Sequence, residues 1–94
     1  MKVKNIKKTF NKKCNCENWL KHWENNKKGK FPVYCITVNC YNSVSVGGIV
    51  IKTEGIDENN YIIPICDVCN AKTINYSVKD GNFVSVNKSQ KCDK

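Results

Sequence analysis

At 94 residues the chain has room for one domain and a thin hydrophobic core, the size at which folds commonly recruit a metal or disulfides. No apolar run approaches the ~20 residues that span a bilayer, and the opening MKVKNIKKTFNKKC has no apolar h-region, so neither a membrane helix nor a secretory signal peptide is expected. Seven cysteines without a secretory signal imply a reducing, cytoplasmic setting and metal ligation, with disulfides as the alternative, and the net charge of +8 directs attention to acidic partners.

Residues 1–13 are rich in Lys and Asn with three scattered apolars, Val3, Ile6 and Phe10, and read as a basic N-terminal arm or strand. Residues 14–94 then form a single zinc-binding domain. After Cys14-Asn15-Cys16, the segment ENWLKHWENN places Trp19, Leu20 and Trp23 on one face of a short helix. Asn15 or Asn18 caps it and Asn25-Asn26 closes it. Both tryptophans read as core anchors, which a thin core needs, ahead of a base-stacking role.

KKGKFP is a turn, and Pro32 bars a helix through it. VYCITV (33–38) is β-branched and aromatic, an extended run leading to Cys40. SVSVGGIVIK alternates as a strand, with Gly47-Gly48 marking a bulge or a close backbone approach. TEGIDENN is a loop and YIIPI the returning strand, ended by Pro64. TINYSV and FVSVN, joined through Asp80-Gly81, read as a β-hairpin with a type I′ turn. The fold class is α+β: a small zinc-stabilised domain with β-hairpins and one short N-terminal helix.

Charge is uneven along the chain. Residues 1–30 hold ten lysines against Glu17 and Glu24, while six lysines balance six acids in residues 31–94. Lys2, Lys4, Lys7, Lys8, Lys12, Lys13, Lys27, Lys28 and Lys30 are the candidate nucleic-acid-binding residues, an electrostatic footprint for phosphates. The competing reading is a solvated tail: the chain has no arginine and fourteen asparagines, the composition of an AT-rich coding sequence. Without arginine there is no bidentate reading of guanine edges, so binding would run through the backbone, sensitive to salt and weak in sequence preference.

Cys35-x4-Cys40 and Cys66-x2-Cys69 are two close pairs separated by a hairpin's length of chain. A tetrahedral zinc takes two ligands from each of two tight turns, and joining distant turns makes metal binding part of folding. Cys14, Cys16, Cys92 and the single histidine, His22, make a second set of three thiols and one imidazole. One zinc or two are therefore expected; the rival for the second set is Cys14 or Cys16 packing near Cys92 as free thiols or a disulfide.

The CxxxxC turn, hairpin and apolar strand ending Pro64-Ile65-Cys66-x-x-Cys69-Asn70 resemble the treble-clef zinc core of HNH-endonuclease-like proteins. Closer still is the resemblance to small bacterial and phage zinc-binding proteins. It rests on Cys16-x-x-Trp19-x-x-His22-Trp23, Val46-Gly47, Tyr61-Ile62-Ile63-Pro64 and the Asn87-x-Ser89-x-x-Cys92 tail, and covers most of residues 14–92. In that pattern a histidine follows Val-Gly where an HNH enzyme keeps its general base, and here Ile49 stands at that place. Isoleucine takes no proton, and no second histidine is present to hold a catalytic metal. The resemblance thus implies a treble-clef-like knuckle with structural zinc and no enzyme activity. The expected partner is nucleic acid or a nucleoprotein; the alternative is a protein-interaction or assembly module of viral or phage accessory type.

Overall fold

The computed structural model describes residues 1–6, 18–27, 32–55 and 59–86. Alternating Val/Ile segments form the middle of an antiparallel sheet, β2 (Val46–Lys52) against β3 (Asn60–Ile65), with Val46 opposite Ile65 and Ile51 opposite Asn60. β1 (Lys2–Asn5) adds to β2, and the two-residue strands β4 (Tyr76–Ser77) and β5 (Val84–Ser85) finish the edges in the order β4-β1-β2-β3-β5. Among the described residues two helices complete the α+β fold, α1 (Trp19–Lys27) and the single turn α2 (Asp67–Asn70).

Alternation divides the sheet's side chains between two cores. On one face Val3, Val50, Ile63, Ile65 and Tyr76 are buried with Cys35, Cys66 and Cys69. On the other, Ile62 and Val84 pack with Trp23 of α1, with Trp19 and Ile49 at the margin. α1 starts where expected: Asn18 Oδ1 accepts the Lys21 amide at 2.8 Å, satisfying one of the helix's first N–H groups. It runs one residue past Asn26 to Lys27, whose ammonium lies near the carbonyl end of the helix and donates to Gly81 O at 2.8 Å. Both tryptophans are core residues as expected, Trp23 tied by its Nε1–H to Asn82 O at 2.8 Å.

Several local expectations change. Gly47-Gly48 is a close approach without a bulge, since the β2–β3 register continues through both glycines. β3 runs on through Pro64, opposite Gly47, to Ile65, and the missing donor falls beyond the reach of β5, which pairs only with Tyr61 and Ile62. VYCITV forms no strand: it makes isolated bridges, Tyr34 to Ser43 and Thr37 to Val78, and turns back at Cys40. Of residues 1–13, Lys2–Asn5 form a strand inside the sheet; 7–13 lie outside the described residues.

The largest correction concerns TINYSV and FVSVN. These segments do not pair; β4 and β5 lie on opposite edges of the sheet. A turn is present but not of type I′, since only Gly81 (φ 86°) and not Asp80 has positive φ; Asn82 Nδ2 donates to the carbonyls of Lys79 and Asp80. What fails is the partner choice. Val78 N–H goes to Met1 O and Lys79 N–H to Ile36 O, at 3.0 Å each, so the link is fastened to distant chain. It passes Met1 at the start of β1 and brings Phe83 to within 5.5 Å of Tyr61 at the start of β3, with Lys52 Nζ 4.7 Å above the Phe83 ring. It therefore runs round one end of the sheet and closes the core there.

Candidate metal centre

The first cysteine pair sits on a knuckle. Cys35 N–H donates to Asn42 O at 2.8 Å and Cys40 N–H to Thr37 O at 3.0 Å, closing a turn that passes through Asn39 at φ 64°, a left-handed conformation asparagine tolerates. A tight turn that aims two sulfurs inward cannot also be an extended strand, which is why VYCITV departs from its β propensity. The second pair follows β3: Cys66 is the N-cap of α2 and Cys69 lies within its single turn, with the Cys69 N–H 3.5 Å from Cys66 Sγ. Hairpin β2–β3 brings the two turns together.

All four sulfurs lie within 4.8 Å of one another; Cys40 Sγ is 3.9 Å from Cys66 Sγ and 3.8 Å from Cys69 Sγ. Four sulfurs about 2.3 Å from a tetrahedral zinc stand about 3.8 Å apart. A disulfide needs about 2.05 Å, and all four cysteines are free. The cluster fits zinc and leaves the disulfide reading without support here.

Its electrostatics fit a cation as well. Burial pushes Cys69 up to about 12, with the Thr37 hydroxyl opposing and the Cys66 and Cys35 sulfurs adding to the rise. Cys40 is also raised: the Asn42 amide lowers it, but burial and the same neighbouring sulfurs outweigh that bond. Cys66 goes the other way, to about 6, because the Cys69 amide and the Asn42 side chain donate to its sulfur and overcome its burial. Like charges this close resist joint ionisation unless a metal neutralises them. At pH 7 Cys66 is thus largely a thiolate while Cys40 and Cys69 hold their protons. Zinc uptake should release at least two protons per ion from those two thiols, so affinity rises with pH and zinc is shed on acidification. Titrating zinc into lightly buffered metal-free protein with a pH indicator measures this, and release of fewer than one proton per zinc contradicts it.

One supporting residue was not visible in the sequence. Asn5 Nδ2 lies 2.8, 3.2 and 3.1 Å from the carbonyls of Cys69, Asn70 and Lys72, and the Tyr76 hydroxyl donates to Asn5 Oδ1. Strand β1 therefore holds the carbonyl end of the turn that carries Cys69, a distant hydrogen bond of the sort that orients metal ligands. An asparagine 64 residues upstream carries no local signal of that role. Gly48 contributes by being small: a Cβ there would meet Ile65 Cδ1 at 2.5 Å and Asn70 Oδ1 at 3.0 Å.

His22 lies on α1, across the sheet from this cluster, and is 1% exposed. Its Nε2 is 3.2 Å from Ser85 O. A carbonyl only accepts, so Nε2 is the donor in this contact. Cys14, Cys16 and Cys92 lie outside the described residues, as do Lys7, Lys8, Lys12, Lys13, Lys28 and Lys30. Lys2 and Lys4 are exposed; Lys4 pairs with Ile51, which puts both on the α1 face of the sheet. Lys27 is exposed at the end of α1. No helix among the described residues is long and apolar enough to cross a membrane. No family model, curated protein or solved structure matches this chain.

Proposed function

We propose that this protein is a non-catalytic zinc module that binds nucleic acid or a nucleoprotein through its lysine-rich N-terminal segment. The observation that carries the metal half is the four sulfurs within 4.8 Å, each pair delivered by its own tight turn. Cys35, Cys40, Cys66 and Cys69 would hold the zinc, which supplies a cross-link between the knuckle and the α2 turn. The order of knuckle, hairpin and a one-turn helix beginning at the second cysteine pair supports the treble-clef-like reading. Four thiolates fill a tetrahedral shell and leave no position for substrate, which favours a structural ion. Ile49, where the HNH pattern has its base, packs against the Trp23, Ile62, Val84 and Val86 core. A second zinc on Cys14, Cys16, His22 and Cys92, the remaining three thiols and one imidazole of the chain, belongs to the same proposal.

Nucleic-acid binding is supported by ten lysines against two acids in residues 1–30. The other reading, assembly by strand pairing, has only two-residue outer strands to work with. Titrating zinc-loaded protein against duplex and single-stranded DNA and RNA across salt is the test. Binding should weaken steeply as salt rises, by about 0.7–0.9 in the log–log slope for each phosphate neutralised, with no strand cleavage in Mg²⁺. Salt-independent affinity, or no binding at low salt, defeats the reading.

A further inference from the structure

The four cysteines of the cluster are unequally shielded. Cys35, Cys66 and Cys69 are 0%, 4% and 2% exposed, whereas Cys40 is half-buried. Both chain neighbours of Cys40, Asn39 and Tyr41, are exposed, while Cys35 is followed by buried Ile36 and Thr37. Cys40 therefore forms the outer rim of the cluster, and a solute arriving from water meets its sulfur first. Ligation to zinc keeps a cysteine as thiolate at neutral pH, the form that oxidants attack. Susceptibility to oxidation follows thiolate character and exposure together, and Cys40 is the one member of the set that would have both.

Cys40 Sγ lies 3.8 Å from Cys69 Sγ and 3.9 Å from Cys66 Sγ, so both sulfurs of the opposite turn are within its reach. Closing either distance to a disulfide takes a movement of about 1.8 Å, and Cys40 belongs to no strand or helix that would oppose it. An exposed sulfur with a second sulfur beside it is oxidised reversibly, to a disulfide, and not onward to sulfinic acid. The new bond would join the knuckle to the α2 turn, the same two pieces of chain that the metal would cross-link. A disulfide inside the Cys66-x2-Cys69 pair would join α2 only to itself.

We propose that Cys40 is a peroxide-sensitive ligand whose oxidation to a disulfide with the α2 pair expels the zinc. The inference rests on the zinc reading of the cluster and adds a redox response to it. The Cys40 sulfur attacks hydrogen peroxide: an S–O bond forms, the O–O bond breaks and water leaves, giving a sulfenic acid. The thiolate of Cys66 or Cys69 then attacks that sulfur, the S–O bond breaks and the oxygen departs as a second water. Two thiolates have lost two electrons, one peroxide and two protons have become two waters, and two ligands have been withdrawn from the metal. The test treats the zinc-loaded full chain with hydrogen peroxide beside a chromogenic zinc chelator, then blocks free thiols and maps tryptic peptides without reduction. Trypsin releases residues 31–52, with Cys35 and Cys40, and residues 53–72, with Cys66 and Cys69. The expected product is these two peptides joined through Cys40, with one zinc released per link and both changes reversed by a thiol reductant and zinc. Cys40→His keeps a zinc ligand that forms no disulfide, and it should retain its zinc at the dose that empties the wild-type cluster. Where Cys40→His does not load zinc, the wild-type peptide map alone decides. A link within residues 53–72, oxidation of Cys14, Cys16 or Cys92 with the cluster left intact, or zinc loss without a Cys40 disulfide overturns the proposal. A purified chain with no zinc overturns the zinc reading itself, whereas a zinc-loaded cluster that peroxide leaves unchanged overturns only the switch.

Discussion

Removing zinc is expected to unfold this protein. Structural zinc sites hold apparent binding free energies of about 10–16 kcal/mol at neutral pH, against about 5–15 kcal/mol for the whole stability of an ordinary domain. The four-cysteine cluster is no peripheral ornament. Cys35, Cys66 and Cys69 are 0%, 4% and 2% exposed and sit in the same core as Val3, Val50, Ile63, Ile65 and Tyr76. Without the ion, that core must accommodate four crowded sulfurs whose amide donors were arranged for thiolates. The knuckle loses its tie to α2, and with it go the Thr37–Val78 bridge and the anchoring of the 78–83 link. A strong chelator should therefore abolish amide NMR dispersion and the cooperative melt, and added zinc should restore both. Cys69→Ser should behave as the chelated protein does, because one hydroxyl is a poor replacement for a thiolate ligand. Elemental analysis of protein purified without added metal should return one zinc from the four-cysteine cluster, and two if the set containing His22 also loads. A chain that contains no zinc, or that keeps its spectrum and melting temperature in chelator, sinks the assignment.

The four-cysteine cluster was legible in the sequence because its signal is local. Two close cysteine pairs at hairpin distance state both the ligands and the chain that must bring them together. The helix was legible for the same reason: Asn18, Trp19 and Trp23 lie within six residues, and a cap and an apolar stripe are properties of a short window. What failed was partner choice. FVSVN alternates as a strand and the chain does turn at Asp80-Gly81, though with positive φ at Gly81 alone and not as type I′, yet the partner of Val84 is Ile62, not its neighbour across the turn. Nothing in the segment records that Met1 O and Ile36 O will claim the amides of Val78 and Lys79. Asn5 is the same case in a side chain, since its carbonyl partners lie more than sixty residues away. VYCITV shows local signals in conflict: β-branched composition asked for a strand, while the pair of cysteines needed a knuckle, and the turn prevailed with Asn39 in a left-handed conformation.

Gly47→Ala should detach α1 from the sheet while leaving the zinc cluster in place. A Cβ at position 47 would lie 2.6 Å from Leu20 N and 2.7 Å from the carbonyl carbon of Trp19. Both are backbone atoms, so no rotamer change relieves the overlap and the first turn of α1 must lift. Lifting it pulls Trp23, 4% exposed, away from Ile62, Val84 and Val86, and strains the Trp23–Asn82 and His22–Ser85 hydrogen bonds. The cost should be about 3 kcal/mol or more, between ordinary overpacking and loss of a buried aromatic. In a domain this size that lowers the melting temperature by roughly 10–20 °C. Two other glycines calibrate the result. Gly48→Ala meets Ile65 Cδ1, the movable end of a side chain, and should cost less. Gly55→Ala meets nothing within 4 Å and strains only a backbone at φ 85°, a penalty of about 1 kcal/mol. Since α1 and the cysteines lie on opposite faces of the sheet, Gly47→Ala should retain the zinc expected on Cys35, Cys40, Cys66 and Cys69 at 25 °C, whereas Gly48→Ala presses on Ile65 and Asn70 on the cysteine face. A Gly47→Ala melt within 1 °C of wild type, or a ranking with Gly55→Ala most severe, would show that α1 does not rest on β2 through this glycine.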